Sequence, residues 1–325
     1  PSHDRLRRPI HVAFGGEAGV GPGVRKEFFQ VAVRAFLQVL FVPADGRTYW
    51  FSDVDHPGAY FACGVLLGQA VLQDVLIPSV FPWTLFDLLL RDMESPLAAC
   101  AGGTGLTLGH LAAVSPAEAD ALQKVLDHQG EDIAEHFGEL GWERTGRLEG
   151  EVLTQANKEL FVQAYVSWSL GEKISDRFGK LSEGFRAVLG GSSMIRRMVD
   201  AKQLERIVCG GEVPVDVAAL RRKAAMQFWD DEDRAYLDSF WAIVAGLSEA
   251  AKRRFLVFVT ASDREPLRGW DELRITVQKN GTGDDRLPTA YTCFALMLLP
   301  KYASQEALRE KLLQAITNSE GFGLN

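Results

Sequence analysis

The sequence is most constrained by a break about two thirds of the way along it. Gly210 and Gly211 are followed closely by Pro214. Glycine lacks the Cβ that restricts the backbone, and proline cannot continue a helix. This composition predicts a linker between domains, although an ordinary loop inside one domain has the same composition. The chain also differs on the two sides of the break: the part before it is mostly helical in pattern, and the part after it mixes helices and short strands, so we expect an α+β protein.

Length and charge exclude several classes of protein. The chain has 325 residues, enough for two domains with apolar cores, and it is 47% hydrophobic and 24% charged, which argues against extensive disorder. Its net charge of −8 is unlike a phosphate-binding surface, so we expect no nucleic-acid partner. Polar residues interrupt the apolar stretch 60–81, which predicts a buried helix and no membrane span. There is no secretory signal and no initial Met, and we expect a fragment of a longer protein.

Apolar residues at helical spacing predict most of the secondary structure before the break. The expected helices are 24–40, 60–76, 83–90, 116–128, 160–189 and 202–209, with a short strand at 49–51. After the break, the acidic residues 230–233 open a helix, and Ser248 and Ser304 are expected to cap two more. Alternation at 273–277 and the apolar run 294–299 predict two strands, and Asn280-Gly281 predicts a turn.

Common catalytic and metal-binding motifs do not occur in the chain. The glycine-rich residues 15–23 are not followed by Gly-Lys-Ser/Thr, so a tight loop is a better interpretation than a phosphate-binding loop. The six histidines include no HExxH pair, the four cysteines include no CxxC pair, and there is no Gly-x-Ser-x-Gly segment. We therefore expect no metal site, no cofactor and no serine hydrolase.

The four cysteines are too widely spaced for a secreted disulfide framework, which indicates a reducing compartment, the cytoplasm or the nucleus. Cys63 lies inside an apolar helical stretch and is expected in the core. Cys293 lies between a polar loop and an apolar strand, where a thiol can be exposed and reactive. The alternative, that Cys293 is a small buried apolar residue, describes most single cysteines and stays open on these grounds alone.

Residues 287–294, with the sequence LPTAYTCF, resemble the active-site segment of the HECT-type ubiquitin ligases, which usually reads LPxxHTCFN. Other blocks resemble the family in the same order along the chain: residues 14–29, 64–70, 204–210, 255–269 and the Gly-Phe-Gly tail at 321–323. A single block would mean little, because each is also ordinary core or turn sequence. Together they cover nearly the whole chain.

The resemblance implies a bilobal HECT fold and a thioester intermediate. A larger, mainly helical N-lobe (1–210) would bind the ubiquitin-conjugating enzyme, and a flexible hinge (211–214) would join it to a smaller α/β C-lobe (215–325). Ubiquitin and protein substrates would be partners, with the substrates bound through upstream domains. The implied catalytic residues are Cys293, Thr292 and Phe322; the active-site loop includes Leu287, Tyr291 and Phe294; the hinge includes Gly210, Gly211, Glu212 and Val213; and the conjugating-enzyme surface includes Leu122, His128, Phe137 and Phe161.

Three residues depart from the family pattern. Tyr291 stands where the family has His, Ala295 where it has Asn, and Ala261 where it has Gly. Tyr291 and Ala295 favour one alternative, a HECT-fold binding module whose chemistry is weakened. A second alternative is transfer of a different ubiquitin-like modifier. A third is a cysteine hydrolase, which would require a His close to Cys293.

Overall fold

The computed structural model describes residues 3–13, 22–45, 48–91, 105–138, 152–190 and 197–318. The chain divides into two compact units. The first comprises Pro1–Pro9, Ala32–Gln73 and Ser79–Glu205, and the second comprises Ile10–Val31, Asp74–Pro78 and Arg206–Asn325. Of the helices in the described ranges, none is both long and apolar enough to cross a membrane.

The first unit is mainly helical. Its strands β1 (Phe41–Pro43) and β2 (Tyr49–Phe51) form an antiparallel pair. Its helices are α1 (His3–Leu6), the second half of α2 (Pro22–Leu40), α3 (Pro57–Leu72), α4 (Trp83–Leu90), α5 (Leu108–Val114), α6 (Pro116–Asp127), α7 (Ile133–Phe137), α8 (Lys158–Leu170) and α9 (Ser175–Leu189), followed by the first residues of α10 (Ala201–Cys209).

Two glycines explain how tightly α3 and α9 pack. A Cβ on Gly64 of α3 would collide with the carbonyl of Leu181, and a Cβ on Gly184 of α9 would collide with the carbonyl of Phe61. The two backbones can approach each other only because both positions lack a side chain. This packing accounts for the small residues in the 64–70 block of the sequence.

The second unit contains the first half of α2, the end of α10, helices α11 (Val217–Lys223), α12 (Arg234–Ala245), α13 (Glu249–Thr260) and α14 (Gln305–Asn318), and one sheet. The sheet strands are β3 (Ala225–Gln227), β4 (Thr276–Thr282), β5 (Thr289–Tyr291) and β6 (Leu296–Lys301), in the spatial order β3-β4-β6-β5. β4 is parallel to both β3 and β6, and β5 is antiparallel to β6. The described chain is therefore α+β, as predicted.

A buried carboxylate fixes the start of α12 against this sheet. Asp233 is 2% exposed, and its oxygens lie 2.6 Å from Lys279 Nζ of β4 and 2.5 Å from Lys301 Nζ of β6. Hydrogen bonds from the two lysines hold the pKa of the Asp233 carboxyl well below its usual range. The three side chains tie one helix to two neighbouring strands.

Most of the expected helices are confirmed within one or two residues, and both serine caps are found. Ser248 accepts a hydrogen bond from the Ala251 amide, and Ser304 accepts one from the Ala307 amide at 3.0 Å. The prediction of a single helix at 160–189 was wrong, because a 3₁₀ turn after Gly171 separates α8 from α9. The helix expected at 60–76 begins at Pro57 and ends at Leu72.

Two strand predictions in the second unit also need correction. The strand expected at 273–277 begins only at Thr276, and Asn280-Gly281 lies inside β4 where a turn was expected. The pairing of β4 with β6 shifts between Lys279 and Thr282, opposite Pro300. This irregularity gives Gly281 its left-handed φ of 74° and accommodates a proline that cannot donate to the sheet, so Pro300 does not end the strand as expected.

Candidate active site

Cys293 lies in the connection between β5 and β6. Tyr291 and Leu296 are the last paired residues of this hairpin, and residues 292–295 join them. A 3₁₀ turn over Thr292–Phe294 is closed by a hydrogen bond of 3.1 Å from the Ala295 amide to the Thr292 carbonyl. The apolar run that was expected to start at Phe294 begins as a strand at Leu296, so Cys293 is placed by a turn and presented at the end of a sheet.

The surroundings of Cys293 distinguish it from the other described cysteines. Cys63 is 3% exposed and Cys209 is fully buried, whereas Cys293 is partly exposed. The aromatic side chains on either side of it are also exposed, with Tyr291 at 56% and Phe294 at 65%. A partly exposed thiol between two exposed aromatic rings is accessible to another protein.

The thiol lies beside a carboxylate. Burial raises the pKa of Cys293 above its usual value, and the charge of Glu27 and a hydrogen bond from the thiol to Glu27 raise it further. A hydrogen bond with Thr292 acts in the opposite direction. At the fully enclosed Cys63, burial alone raises the pKa to about 12. Cys293 is thus a less acidic thiol than a free cysteine, with the Glu27 carboxylate as a neighbour.

The N-terminal part of α2 brings Glu27 close to the Cys293 thiol. A Cβ on Gly23 would lie 2.8 Å from Cε1 of Phe294 and 3.0 Å from the Cys293 carbonyl oxygen. The absence of a side chain at Gly23 therefore allows the helix to lie directly against the cysteine loop. Glu27 follows one turn later on the same side of the helix, since residues four apart share a face.

The sequence predicted Cys293 and Thr292 as site residues but did not indicate Glu27, which the structure places near the thiol. The structure brings Thr292 next to the thiol, where its side chain favours the thiolate. Glu27 belonged to the matched block 14–29, but nothing in that block indicated contact with a residue so distant in the chain. The available signal was the resemblance of this block to the opening block of the family.

The other expected site residues are distributed as follows. Leu287 is partly buried in the segment before β5, which is held by a hydrogen bond of 2.8 Å from the Tyr302 hydroxyl to the Arg286 carbonyl. Phe322 lies outside the described residues. In the first unit, Leu122 and Phe161 are each 1% exposed and belong to its core, whereas His128 and Phe137 are partly exposed.

The expected hinge residues lie just after α10. Gly210 has a left-handed φ of 84°, and Gly211 exchanges two backbone hydrogen bonds, of 2.7 and 2.9 Å, with Glu265. Glu212 pairs with Arg264 at 3.0 Å, and the Val213 carbonyl accepts a hydrogen bond from Arg253. Glycine at position 210 is thus explained by its backbone conformation.

Two of the departures from the family pattern have a common physical consequence. Ala295 and Ala261 have φ values of 48° and 58°, both in the left-handed region. Asn and Gly, which the family has at these positions, adopt that conformation more easily than alanine does, by roughly 1 kcal/mol for glycine. Both turns of this chain therefore hold alanine in a conformation that suits it less well than Asn or Gly. The third departure, Tyr291, places an exposed ring near the thiol.

A sequence profile of the HECT-domain (ubiquitin-transferase) family matches residues 25–325. The chain belongs to the HECT family. It is 31% identical to a probable E3 ubiquitin-protein ligase, HERC4 of Mus musculus, over 98% of this chain and 30% of that protein. It is 29% identical to a probable E3 ubiquitin-protein ligase, HECTD2 of Pongo abelii, over 98% of this chain and 43% of that protein. This HECT chain thus spans about a third to two fifths of the length of these relatives.

The pKa of Cys293 gives a first test of the Glu27 contact in this HECT chain. Replacing Glu27→Gln removes a negative charge next to the thiol, so the pKa of Cys293 should fall and more thiolate should be present at neutral pH. The rate of alkylation by iodoacetamide should rise at pH 7 by roughly two- to fivefold, since added thiolate is partly offset by lower nucleophilicity. The midpoint of the pH–rate profile should shift to lower pH.

Peptide mass spectrometry would measure this rate at Cys293 separately from the other cysteines. Glu306→Gln is the matched control, because Glu306 is an exposed glutamate of the same unit at the start of α14. An unchanged pH–rate profile for Glu27→Gln, or an equal shift in the control, would contradict the contact.

Proposed function

We propose that this chain is the catalytic part of a HECT-type ubiquitin-protein ligase. Cys293 accepts ubiquitin from a conjugating enzyme as a thioester and passes it to a substrate lysine. The observation that carries the proposal is the partly exposed Cys293 thiol in the β5–β6 connection, beside the Glu27 carboxylate, in a chain that belongs to the HECT family. The relatives named above are described as probable E3 ubiquitin-protein ligases, which supports the same activity here.

In the first step the Cys293 thiolate attacks the carbonyl carbon of the thioester that joins ubiquitin to the conjugating enzyme. A new carbon–sulfur bond forms at Cys293, and the enzyme's cysteine leaves as a thiolate. One thioester replaces another, so the reaction is nearly isoenergetic and depends mainly on bringing the two sulfur atoms together. The raised pKa of Cys293 lowers the fraction of thiolate, and the hydrogen bond with Thr292 limits that loss.

In the second step a substrate amine attacks the Cys293 thioester. A lysine amine has a pKa near 10.4 and is mostly protonated at neutral pH, so it must lose a proton to act as a nucleophile. Glu27 supplies a carboxylate beside the reacting sulfur that can attract the ammonium group and accept its proton as the carbon–nitrogen bond forms. The Cys293 thiolate is then the leaving group, and an isopeptide bond is the product.

The conjugating enzyme is proposed to bind the first unit. A cavity of about 460 Å³ opens between α5, α6 and α8 and could receive an apolar side chain of a partner. Its apolar lining includes Leu106, Leu108, Leu126, Val162 and Val166. Leu122 and Phe161 would support this surface from the core, and His128 and Phe137 would take part at its edge. Substitutions on this surface should change the rate of the first step, in which ubiquitin passes from the conjugating enzyme to Cys293.

The remaining parts of the proposal concern the two lobes and their hinge, the role of Phe322 and the location in the cell. The lobes 1–210 and 215–325, with a hinge at 211–214, stay a prediction, and a swing about that hinge would let Cys293 face a donor and then an acceptor. Phe322 is proposed to act in the transfer step. A cytoplasmic or nuclear location is proposed from the wide spacing of the four cysteines, which does not suit a secreted disulfide framework.

Two alternatives are compatible with the fold. In a catalytically weakened HECT binding module, Tyr291 and Ala295 would have removed the chemistry. The partly exposed thiol argues against this, since a lost active site has no reason to keep one. A different ubiquitin-like modifier could replace ubiquitin at the same cysteine. The hydrolase alternative is weaker, because no imidazole is among the groups acting on Cys293 in the described chain.

Single-turnover transfer tests the first step. A conjugating enzyme loaded with labelled ubiquitin is mixed with this chain and analysed on a non-reducing gel. The proposal predicts a new band that reductant removes, that Cys293→Ala abolishes and that Cys209→Ala retains. A folded chain that gives no band with several conjugating enzymes would instead support the binding module. A band seen only with another modifier would identify that alternative.

The second step is tested by discharge onto free lysine. After loading, excess lysine is added and the loss of the Cys293 thioester is followed over time. Glu27→Gln should slow discharge by roughly 100-fold or more, the effect expected for loss of a positioned proton acceptor, while loading is unchanged or faster. Equal discharge rates for Glu27→Gln and the control Glu306→Gln would exclude this role for Glu27.

A further inference from the structure

Three potential metal ligands converge where α6 gives way to α7. His128 follows the last residue of α6, Asp132 immediately precedes α7, and His136 lies in the last turn of α7. The three residues are spaced four apart, and one ligand atom from each lies within 4.8 Å of the others. This cluster is in the first unit and includes His128 of the proposed conjugating-enzyme surface. Metal binding depends only on the positions of the three side chains, so the inference below does not rest on the proposed function.

The distances within the cluster suit a small transition-metal ion. Nε2 of His128 lies 2.9 Å from Oδ1 of Asp132, and Nδ1 of His136 lies 3.4 Å from Oδ2 of the same carboxylate. A tetrahedral zinc ion with bonds of about 2.0–2.1 Å separates its ligand atoms by roughly 3.3 Å. The two imidazole centroids are 5.2 Å apart, which leaves room between them for an ion held from both sides.

Contacts from neighbouring residues hold the backbone of the cluster. Lys158 Nζ donates hydrogen bonds of 2.7 Å to the carbonyls of Leu126 and His128, and Gln155 donates one of 2.7 Å to the Gly130 carbonyl. The connection between α6 and α7 is therefore fixed by two side chains from the segment that begins α8. Less conformational entropy is lost when a ligand binds to a backbone that is already ordered.

Two further features, the absence of a side chain at Gly130 and the orientation of the Asp132 side chain, leave the ligand atoms free to meet. A Cβ at Gly130 would lie 2.9 Å from His128 Nε2 and would collide with Asp132 Oδ1, so glycine leaves the space that these ligand atoms occupy. Asp132 is the N-cap residue of α7, yet its side chain makes no capping hydrogen bond. Its two oxygens face the two imidazoles instead.

We propose that His128, Asp132 and His136 form a binding site for a divalent transition-metal ion of the zinc class. Two imidazoles and one carboxylate are a ligand set that zinc accepts, whereas calcium and magnesium prefer oxygen ligands alone. Three protein ligands leave a fourth position for water or for a group from another molecule. The bound ion joins α7 to the end of α6, because its ligands come from both sides of the connection.

Zinc binding to the metal-free 325-residue chain tests the site by competition with a chromophoric chelator. We expect one site that His136→Ala weakens by at least about 100-fold, more than the loss of a group that only orients a ligand. Asp132→Asn keeps the shape of the side chain but removes its charge, and it should weaken zinc binding similarly. The matched control is His56→Ala, since His56 is also an exposed histidine of this unit.

Two further readouts distinguish a built site from unspecific binding. Cobalt(II) should give the strong visible absorption of a tetrahedral site in the unaltered chain and in His56→Ala, but not in His136→Ala. Zinc should raise the melting temperature of the same two proteins only, because a ligand that binds the folded state stabilises it. The proposal is overturned if the unaltered chain binds zinc no more tightly than His136→Ala, or if His56→Ala weakens binding equally.

Discussion

The position of the reactive cysteine depends on β6 being paired along both edges. β6 is bonded to β4 on one side and to β5 on the other, and Met297 and Leu299 on this strand are fully buried. Its far end is held by the ion pair of Lys301 with Asp233 and by a hydrogen bond of 2.8 Å from the Tyr236 hydroxyl to the Pro300 carbonyl. A slip of β6 by one residue would turn its buried side chains outward, so the core fixes where the β5–β6 connection lies.

The Glu27 carboxylate next to Cys293 would have opposite effects on the two proposed steps. Glu27 disfavours the Cys293 thiolate, which the proposed first step requires. Once the sulfur carries an acyl group it is no longer charged, and this repulsion ends. The same carboxylate is then positioned to receive a proton from an attacking amine. In the proposed mechanism Glu27 would therefore oppose the first step and assist the second.

The sequence predicted the features that depend on neighbouring residues alone, such as helix caps and the bounds of single helices and strands. Ser248 and Ser304 were identified as caps because a hydroxyl before a helix satisfies free amides, and the strand at Tyr49–Phe51 and the helix at Trp83–Leu90 were predicted at their observed bounds. Cys293 was identified from its resemblance to a family segment. Its placement between a polar loop and an apolar strand was consistent with that identification.

Features that depend on distant contacts could not be predicted in this way. Glu27 meets Cys293 only through the fold, and nothing near Glu27 in sequence indicates that contact. β3 is a three-residue strand stabilised by its pairing with β4, and Pro300 is tolerated within β6 because the opposite strand is irregular there. His128, Asp132 and His136 show no familiar motif, because their convergence depends on how the chain turns between two helices.

The most direct test of the central claim is to identify the bond formed in Cys293→Ser. A serine hydroxyl at this position should attack the donor thioester and form an ester with ubiquitin. That adduct should resist reductant, be cleaved by hydroxide, and map to residue 293 by peptide mass spectrometry. A reductant-sensitive adduct that persists in Cys293→Ser, or one that maps to Cys63, Cys100 or Cys209, would show that a different cysteine carries ubiquitin and would contradict the account.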